Sequence, residues 1–289
     1  MDSGSAGRRL GRQSTTRNGE FVNIVLLGHA DLASLYALNC LIARSPGHHC
    51  TAFDSGTLKP KQPMPGALID LATLDANLCT EYRATGKLSD VLLRARELPK
   101  PNSPAGLNIL SDCEPDLIVS IRYRQILRDD AIAVPRQGVL NLHSGILPDY
   151  RGVMATFWAM LNAELEIGST LHRIVDSGID TGPILGVSRT PLRPGESYLA
   201  NLLRLYADGV AMLVEAIADL ECGNPLVGSP QSMERGKYFS TPDEASIKAF
   251  LAKNLCLASA LELDLILATN HETRQKSVIE ESLDSHIPK

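Results

Sequence analysis

Aromatic side chains are scarce in this chain. Phe, Trp and Tyr make up 4% of its 289 residues, with a single Trp. That argues against a platform on which the bases of single-stranded nucleic acid would stack. Basic charge is not in surplus: 28 Lys and Arg stand against 33 Asp and Glu, a net charge of −5. No nucleic-acid partner is expected, because binding one requires many phosphates to be neutralised. No run approaches 18 consecutive apolar residues, so no membrane partner is expected either. The six cysteines (Cys40, Cys50, Cys79, Cys113, Cys222 and Cys256) form no C-x-x-C pair. With no secretory leader to be read, free thiols and a cytoplasmic location are expected. His48-His49-Cys50 is a poor metal site, since neighbours on an extended segment point opposite ways. G-x-G-x-x-G, the P-loop and G-x-S-x-G are all missing.

What is there reads as an ordinary globular chain, 44% hydrophobic and 21% charged, long enough to bury a full core. Residues 1–20 are polar, with four Arg, and are expected to be a disordered tail. Order is expected from residue 21. Val22–Leu27 is a short apolar run ending at Gly28, as in a buried parallel strand. Asp31 suits the cap of a helix carrying Leu32, Leu35, Leu38 and Ile42 on one face. Residues 50–53 read as a strand and 54–66 as a Pro- and Gly-rich loop. Residues 67–82 read as a helix with Leu68, Leu71, Leu74 and Leu78 aligned. Further strands are expected at 116–120, 138–142, 169–175 and 183–188. An apolar helix is expected around 154–161 and a strong amphipathic one over 197–220, stopped by Cys222-Gly223-Asn224-Pro225. Alternating strands and helices predict an α/β fold with a mainly parallel sheet flanked by helices.

Residues 224–289 differ in character and are expected to form a small C-terminal extension, a helix plus a flexible end. Thr241-Pro242-Asp243-Glu244 reads as a helix start, with Thr at N-cap, Pro at N1 and Glu at N3, and a helix to about Leu255. Leu261–Leu267 alternates apolar with acidic residues and suits a strand or a helix face. The final 20 residues are polar.

Two segments concentrate chemistry. The first is Asn141-Leu142-His143-Ser144-Gly145-Ile146-Leu147-Pro148-Asp149-Tyr150-Arg151-Gly152. Asn141 and His143 lie two apart at the end of a predicted strand and so project to the same side. The ends of strands are where open α/β sheets gather ligands. An amide and an imidazole side by side suit a reacting carbonyl: both can donate to an oxygen that becomes negative, and the imidazole moves protons. Taken alone, the same pair also suits plain support of loop backbone. The second segment runs from Gly168 to Pro183. Thr170, His172 and Ile174 share a strand face, and Asp180 sits in a Gly-flanked turn where its carboxylate can orient His143 and take a proton from a nucleophile, directly or through water. A turn-capping Asp and a structural His are the competing readings. A metal-dependent hydrolase built on His143, His172 and Asp176 or Asp180 is a further competing class, as is a non-catalytic binding protein.

Together, N-L-H-S-G-I-L-P-D-Y-R-G followed by G-S-T-L-H-R-I-V-D-S-G-I-D-T-G-P-I-L resembles the folate-dependent formyltransferase family. Its pattern is N-x-H-x-x-x-L-P-x-(Y)-R-G, then G-x-T-x-H and D-x-G. The resemblance implies a Rossmann-like catalytic domain over residues 21–223. It implies 10-formyltetrahydrofolate as co-substrate and no metal. Asn141, His143 and Asp180 correspond to the family's catalytic trio. The folate ring would lie near the backbone of Val119, Ser120, Ile121 and Arg122 and near the turn before Asp180 with Asp176, and Leu147 and Pro148 would shape the pocket mouth. Ser144, Arg151 and His172 would help hold substrate.

Family members differ in acceptor. The glycinamide ribonucleotide enzyme carries a Gly/Ser-rich phosphate loop after its first strand, where this chain has Gly28-His29-Ala30-Asp31. The methionyl-tRNA enzyme adds a C-terminal barrel; here residues 224–289 carry seven Lys or Arg against nine Asp or Glu, poor for tRNA. The formyltetrahydrofolate hydrolase adds an N-terminal regulatory domain. The resemblance therefore points to a small-molecule amine acceptor in a specialised pathway: an N-hydroxyornithine-type siderophore precursor, or alternatively a nucleotide-linked amino sugar. It leaves room for a homodimer.

Overall fold

The computed structural model describes residues 22–57, 63–234 and 236–259. The chain runs β1 (Asn23–Gly28), α1 (Leu32–Arg44), β2 (His49–Asp54), α2 (Gly66–Ala84), α3 (Asp90–Leu93), β3 (Arg96–Glu97), α4 (Pro104–Asp112), β4 (Leu117–Ser120), α5 (Asp129–Ile132) and β5 (Val139–His143). It continues through β6 (Arg151–Gly152), α6 (Ala155–Leu161), β7 (Glu166–Ile174), β8 (Ile184–Pro191), α7 (Tyr198–Glu221), β9 (Tyr238–Phe239) and α8 (Glu244–Ala252).

Seven strands form one mixed sheet in the order β3-β2-β1-β4-β5-β7-β8. β3, β2, β1, β4 and β5 are parallel neighbours; β7 and β8 add antiparallel to the β5 edge. The expected mainly parallel α/β sheet is thus observed. β1 is buried on both faces because its side chains alternate between two cores. Ile24 and Leu26 join α1, α2 and α7 on one side. Val25 and Leu27 join Phe53, Leu110 and Ile118 on the other. From β1 the chain builds outward in both directions, to β2 on one side and β4 on the other. The carboxyl ends of β1 and β4 therefore part around a crevice, the usual ligand position in such sheets.

Helix α1 starts where expected: the Asp31 carboxylate accepts from Ser34 N. Ser197 likewise caps α7 by accepting from Ala200 N. The expected start of the last helix is corrected. Asp243, not Thr241, is the N-cap; its side chain accepts from Ser246 N, and the helix ends at Ala252 rather than Leu255. An Asp at N-cap forms the same bond two residues later. Short elements without strong periodicity, α3, α4, α5, β3, β6 and β9, were not expected from the sequence.

The described part of the C-terminal extension packs onto the rest of the chain. β9 pairs parallel to β6. On α8, Phe250 stacks on Phe157 of α6, 4.4 Å between centroids. Cys256 and Leu257 carbonyls accept from Tyr198 and Leu199 N–H at the start of α7. Among the described residues no helix is long and apolar enough to cross a membrane. The expected tail 1–20 and the segment Leu261–Leu267 lie outside the described residues.

Candidate active site

A cavity of about 610 Å³ opens at the carboxyl ends of β1, β4 and β5. It is bordered by His29–Asp31, by Ser120 and Arg122–Leu127, by Asn141–Ser144 and by Gly152–Met154. The turn after β7, side chains of α2, and Tyr198, Leu202 and Tyr206 of α7 complete it. A second cavity of similar volume lies behind Gly145 and Ile146, against Tyr150, Glu166 and Arg189; it holds none of the three residues expected to be catalytic.

Those three, Asn141, His143 and Asp180, converge in the first cavity. Asn141 and His143 close β5, paired with His172 and Thr170 of β7. Asp180 arrives from the turn after β7, at a left-handed φ of 54°, a region Asp tolerates better than most residues. His143 Nδ1 lies 3.5 Å from Asp180 Oδ2. Asn141 Nδ2 lies 3.5 Å from Asp180 Oδ1. Both contacts are long for hydrogen bonds.

The tautomers follow from the partners. His143 Nε2 faces the Tyr150 carbonyl at 2.7 Å, so it carries hydrogen and donates. His143 Nδ1, toward Asp180, is then the nitrogen without a hydrogen in the neutral ring. His172 Nδ1 faces the Arg173 carbonyl at 3.0 Å and donates to it. His172 Nε2 is left to accept one Asn141 amide hydrogen at 3.0 Å. Asp180 is almost wholly buried. Burial by itself would raise its carboxyl, but His143, His172 and the Gly152 N–H outweigh it and hold it down at about 2. The Gly152 N–H donates to Asp180 Oδ2 at 2.8 Å.

Thr170 explains part of the second motif. Its hydroxyl donates to the Gly145 carbonyl at 2.7 Å and accepts from Leu147 N at 3.1 Å. It thereby pins the Ser144–Pro148 loop to β7. Sequence reasoning placed Thr170 on the strand face but not this clamp.

The other expected contact residues divide. Ser120, Arg122, Ser144 and Asp176 border the cavity. Val119 and Ile121 turn their side chains into the core, which leaves their backbone alone to face a ligand. The segment beyond them, Arg122–Leu127, also borders the cavity. Leu147 is buried where Thr170 holds it, and Pro148 packs beside Gly236, so neither shapes the mouth. Arg151 is drawn off by β-pairing with the extension, its N–H donating to the Lys237 carbonyl. His172 has both ring nitrogens engaged inside the protein, so it supports Asn141 rather than a substrate.

The opposite wall carries a charge cluster the sequence did not announce. Asp31 accepts from Arg122 Nε through both carboxylate oxygens at 2.9 Å, and from Arg124 at 3.2 Å. Burial opposes its ionisation, but Arg122 and Arg124 prevail and the carboxyl is lowered. Asp75 of α2 accepts the Leu32 N–H at the start of α1. Burial first, then the Asp31 charge, push its carboxyl up to about 6. Among the described residues no group of three or more His, Cys, Asp or Glu side chains is placed to hold a metal ion.

Known proteins bear on these residues. Residues 89–217, which include the trio, match the formyl transferase family model. The chain is 36% identical over 125 residues to methionyl-tRNA formyltransferase of Trichlorobacter lovleyi, covering 43% of this chain and 39% of that one. It spans about two fifths of the length of the curated relatives it matches. In fold it is similar to a sugar N-formyltransferase from a Shewanella species (TM-score 0.52, 20% identity, 84% of this chain and 86% of that one). It is similar too to glycinamide ribonucleotide transformylase 1 from Symbiobacterium toebii (TM-score 0.51, 20% identity, 73% and 94%). A third similar structure is the N-formyltransferase of Helicobacter canadensis in complex with folinic acid and dTDP-3-aminofucose (TM-score 0.52, 16% identity, 83% and 85%). Residues 89–217 are thus similar to the formyl transferase family, and the chain shares the fold of these solved formyltransferases.

Proposed function

We propose that the protein is an N-formyltransferase that moves the formyl group of 10-formyltetrahydrofolate to an amine of a small molecule. The observation that carries this is the convergence of Asn141, His143 and Asp180 on one cavity. The co-substrate suits that cavity. Ile126, Val175 and Ile179 border it and are 51%, 52% and 40% exposed. Apolar side chains left open around a cleft suit a flat ring system, and the volume is that of a small-molecule site.

The roles follow from the geometry. The acceptor nitrogen attacks the formyl carbon, forming one C–N bond. The formyl oxygen takes up negative charge as the carbon becomes tetrahedral. Asn141 has one amide hydrogen committed to His172; the other, held only by the long 3.5 Å contact to Asp180 Oδ1, turns to donate to that oxygen. Asp180, held at about 2, is too weak a base to take the proton of the amine itself. His143 Nδ1 takes that proton, and the Asp180 carboxylate beside it stabilises the resulting imidazolium. The bond to folate N10 then breaks, N10 takes the proton that His143 holds, and tetrahydrofolate leaves. Residues 21–223 serve as the catalytic unit and residues 224–289 as an extension of it.

The Asp31 and Asp75 carboxylates favour an acceptor without a phosphate at that wall. The amino end of α1 would suit an anion, but the chain's own carboxylates fill it, and Arg122 and Arg124 are spent on Asp31. An amino-acid-like amine of the N-hydroxyornithine type suits this wall best. The sugar N-formyltransferase likeness favours a nucleotide-linked amino sugar as the second reading, with methionyl-tRNA as a third. Incubating the protein with 10-formyltetrahydrofolate and each amine class, and reading acceptor mass together with released tetrahydrofolate, tests all three. Gain of one formyl group on the amino-acid-like amine alone is the expected result; formylation of only the sugar nucleotide or the tRNA would replace it.

A further inference from the structure

The turn that carries Asp180 is not held by the catalytic half of the chain alone. Its Asp180 and Gly182 carbonyls both accept from one amide, Gln231 Nε2, at 3.0 and 2.7 Å. Gln231 belongs to the extension, two residues past Ser229, which bonds to Ile184 through both its N–H and its carbonyl. The turn also presses against β7, where a Cβ on Gly182 would collide with the Arg173 carbonyl.

The extension grips the Asp180 side chain as well, through Gly152. Arg151 N donates to the Lys237 carbonyl at 3.0 Å and Val153 N to the Phe239 carbonyl at 2.8 Å. Alternate N–H groups of an extended strand point to opposite edges. With 151 and 153 bonded to β9, the N–H of Gly152 is turned the other way, and there it meets Asp180 Oδ2. Only glycine permits this approach, because a Cβ at 152 would strike the Phe239 carbonyl, and φ there is 98°.

We propose that the extension is a working part of the active site, in which Gln231 and the β6–β9 pair are positioning elements: Gln231 fixes the backbone of Asp180, and β9 aims the Gly152 N–H at its carboxylate. Gln231 touches no reacting atom in this arrangement; it acts through Asp180. The inference rests on the formyl-transfer reading for its kinetic consequence but not for its structural one.

The test uses the full chain with Gln231→Met, which keeps length and loses both donors. Two readouts are taken after thermal unfolding has shown the variant folded. The first is the NMR titration of the Asp180 carboxyl, which needs no activity; His143 and His172 are the ionisable groups facing it. Release of the turn is expected to move that titration upward by about one pH unit, as the carboxylate loses the Gly152 N–H bond and draws away from His143. The second is formyl transfer: kcat is expected to fall about tenfold while KM for 10-formyltetrahydrofolate stays within about twofold, as misplacement of a reacting group predicts. An unmoved titration with unchanged kcat overturns the proposal, as does a rise in KM with kcat intact. If wild type transfers no formyl group to any amine while the titration still shifts, the functional reading fails and the positioning role stands.

Discussion

His172 Nε2 accepts a hydrogen from Asn141 Nδ2 at 3.0 Å, while its own Nδ1 is anchored on the Arg173 carbonyl at 3.0 Å. The ring is almost fully buried. One hydrogen of the Asn141 amide is thereby fixed inward, which leaves the other on the side of Asp180 Oδ1, 3.5 Å away.

Loss of that anchor should mis-aim the amide without removing it. His172→Leu is expected to lower kcat by about tenfold with little change in KM for either substrate. His172→Gln, which keeps an acceptor, should recover most of it. Steady-state kinetics of tetrahydrofolate release provide the check; a rise in KM alone would instead make His172 a substrate contact.

Asn141→Ala removes the donor itself. Turnover should drop by about 10²–10³, the usual cost of one oxyanion donor. Folate affinity, read by direct titration, should stay near the wild-type value, since the amide acts on charge that develops only during reaction.

Asp180→Asn should cost around 10²–10⁴ in turnover and also leave a mark on acid stability. The folded carboxyl is held at about 2, below its ordinary 3.8. A depressed acid stabilises the fold above its unfolded value, and that stability drains away as pH falls from about 4 toward 2. Wild type should therefore exceed the variant by about 2 kcal/mol at neutral pH. The gap should close by pH 2 in denaturant titrations. A gap that persists there would show that Asp180 contributes by packing, not by charge.

Asp75 carries the opposite sign. Its carboxyl is pushed up to about 6 by burial and by Asp31. Folding then favours the protonated form, and the ionised form costs stability as pH rises from about 4 through 6. Asp75→Asn keeps an acceptor for the Leu32 N–H and should stabilise the protein at pH 8 by roughly 1 kcal/mol after allowance for solvent screening. At pH 4 it should give nothing. Melting temperatures at the two pH values decide the matter; equal gains at both would contradict it.

The sequence made the sheet legible where burial was strong. β1 and β4 are nearly pure apolar runs, and α1 and α7 have capped, periodic faces, so their positions could be read within a residue or two. Asn141, His143 and Asp180 were legible because spacing two on a strand and a Gly-flanked turn are local signals, joined by a family pattern. The rest depends on tertiary contact. The Gly152 N–H and the Gln231 side-chain amide bond to Asp180 and its turn from segments far apart in the chain, which no local pattern encodes. Arg122 borders the cavity, but no local pattern announces that Asp31 engages its guanidinium. The core-facing side chains of Val119 and Ile121 follow from burial of the strand, whereas the Thr170 clamp that buries Leu147 is a tertiary contact.

The most direct test is a double-mutant cycle of Asn141→Ala and Asp180→Asn, read by release of tetrahydrofolate with the best amine acceptor. Side chains that act as one unit on one reacting carbon should be strongly non-additive. The double variant should lose little more turnover than the worse single one. Losses that simply multiply, or single variants that keep near wild-type rates, would contradict a shared catalytic centre.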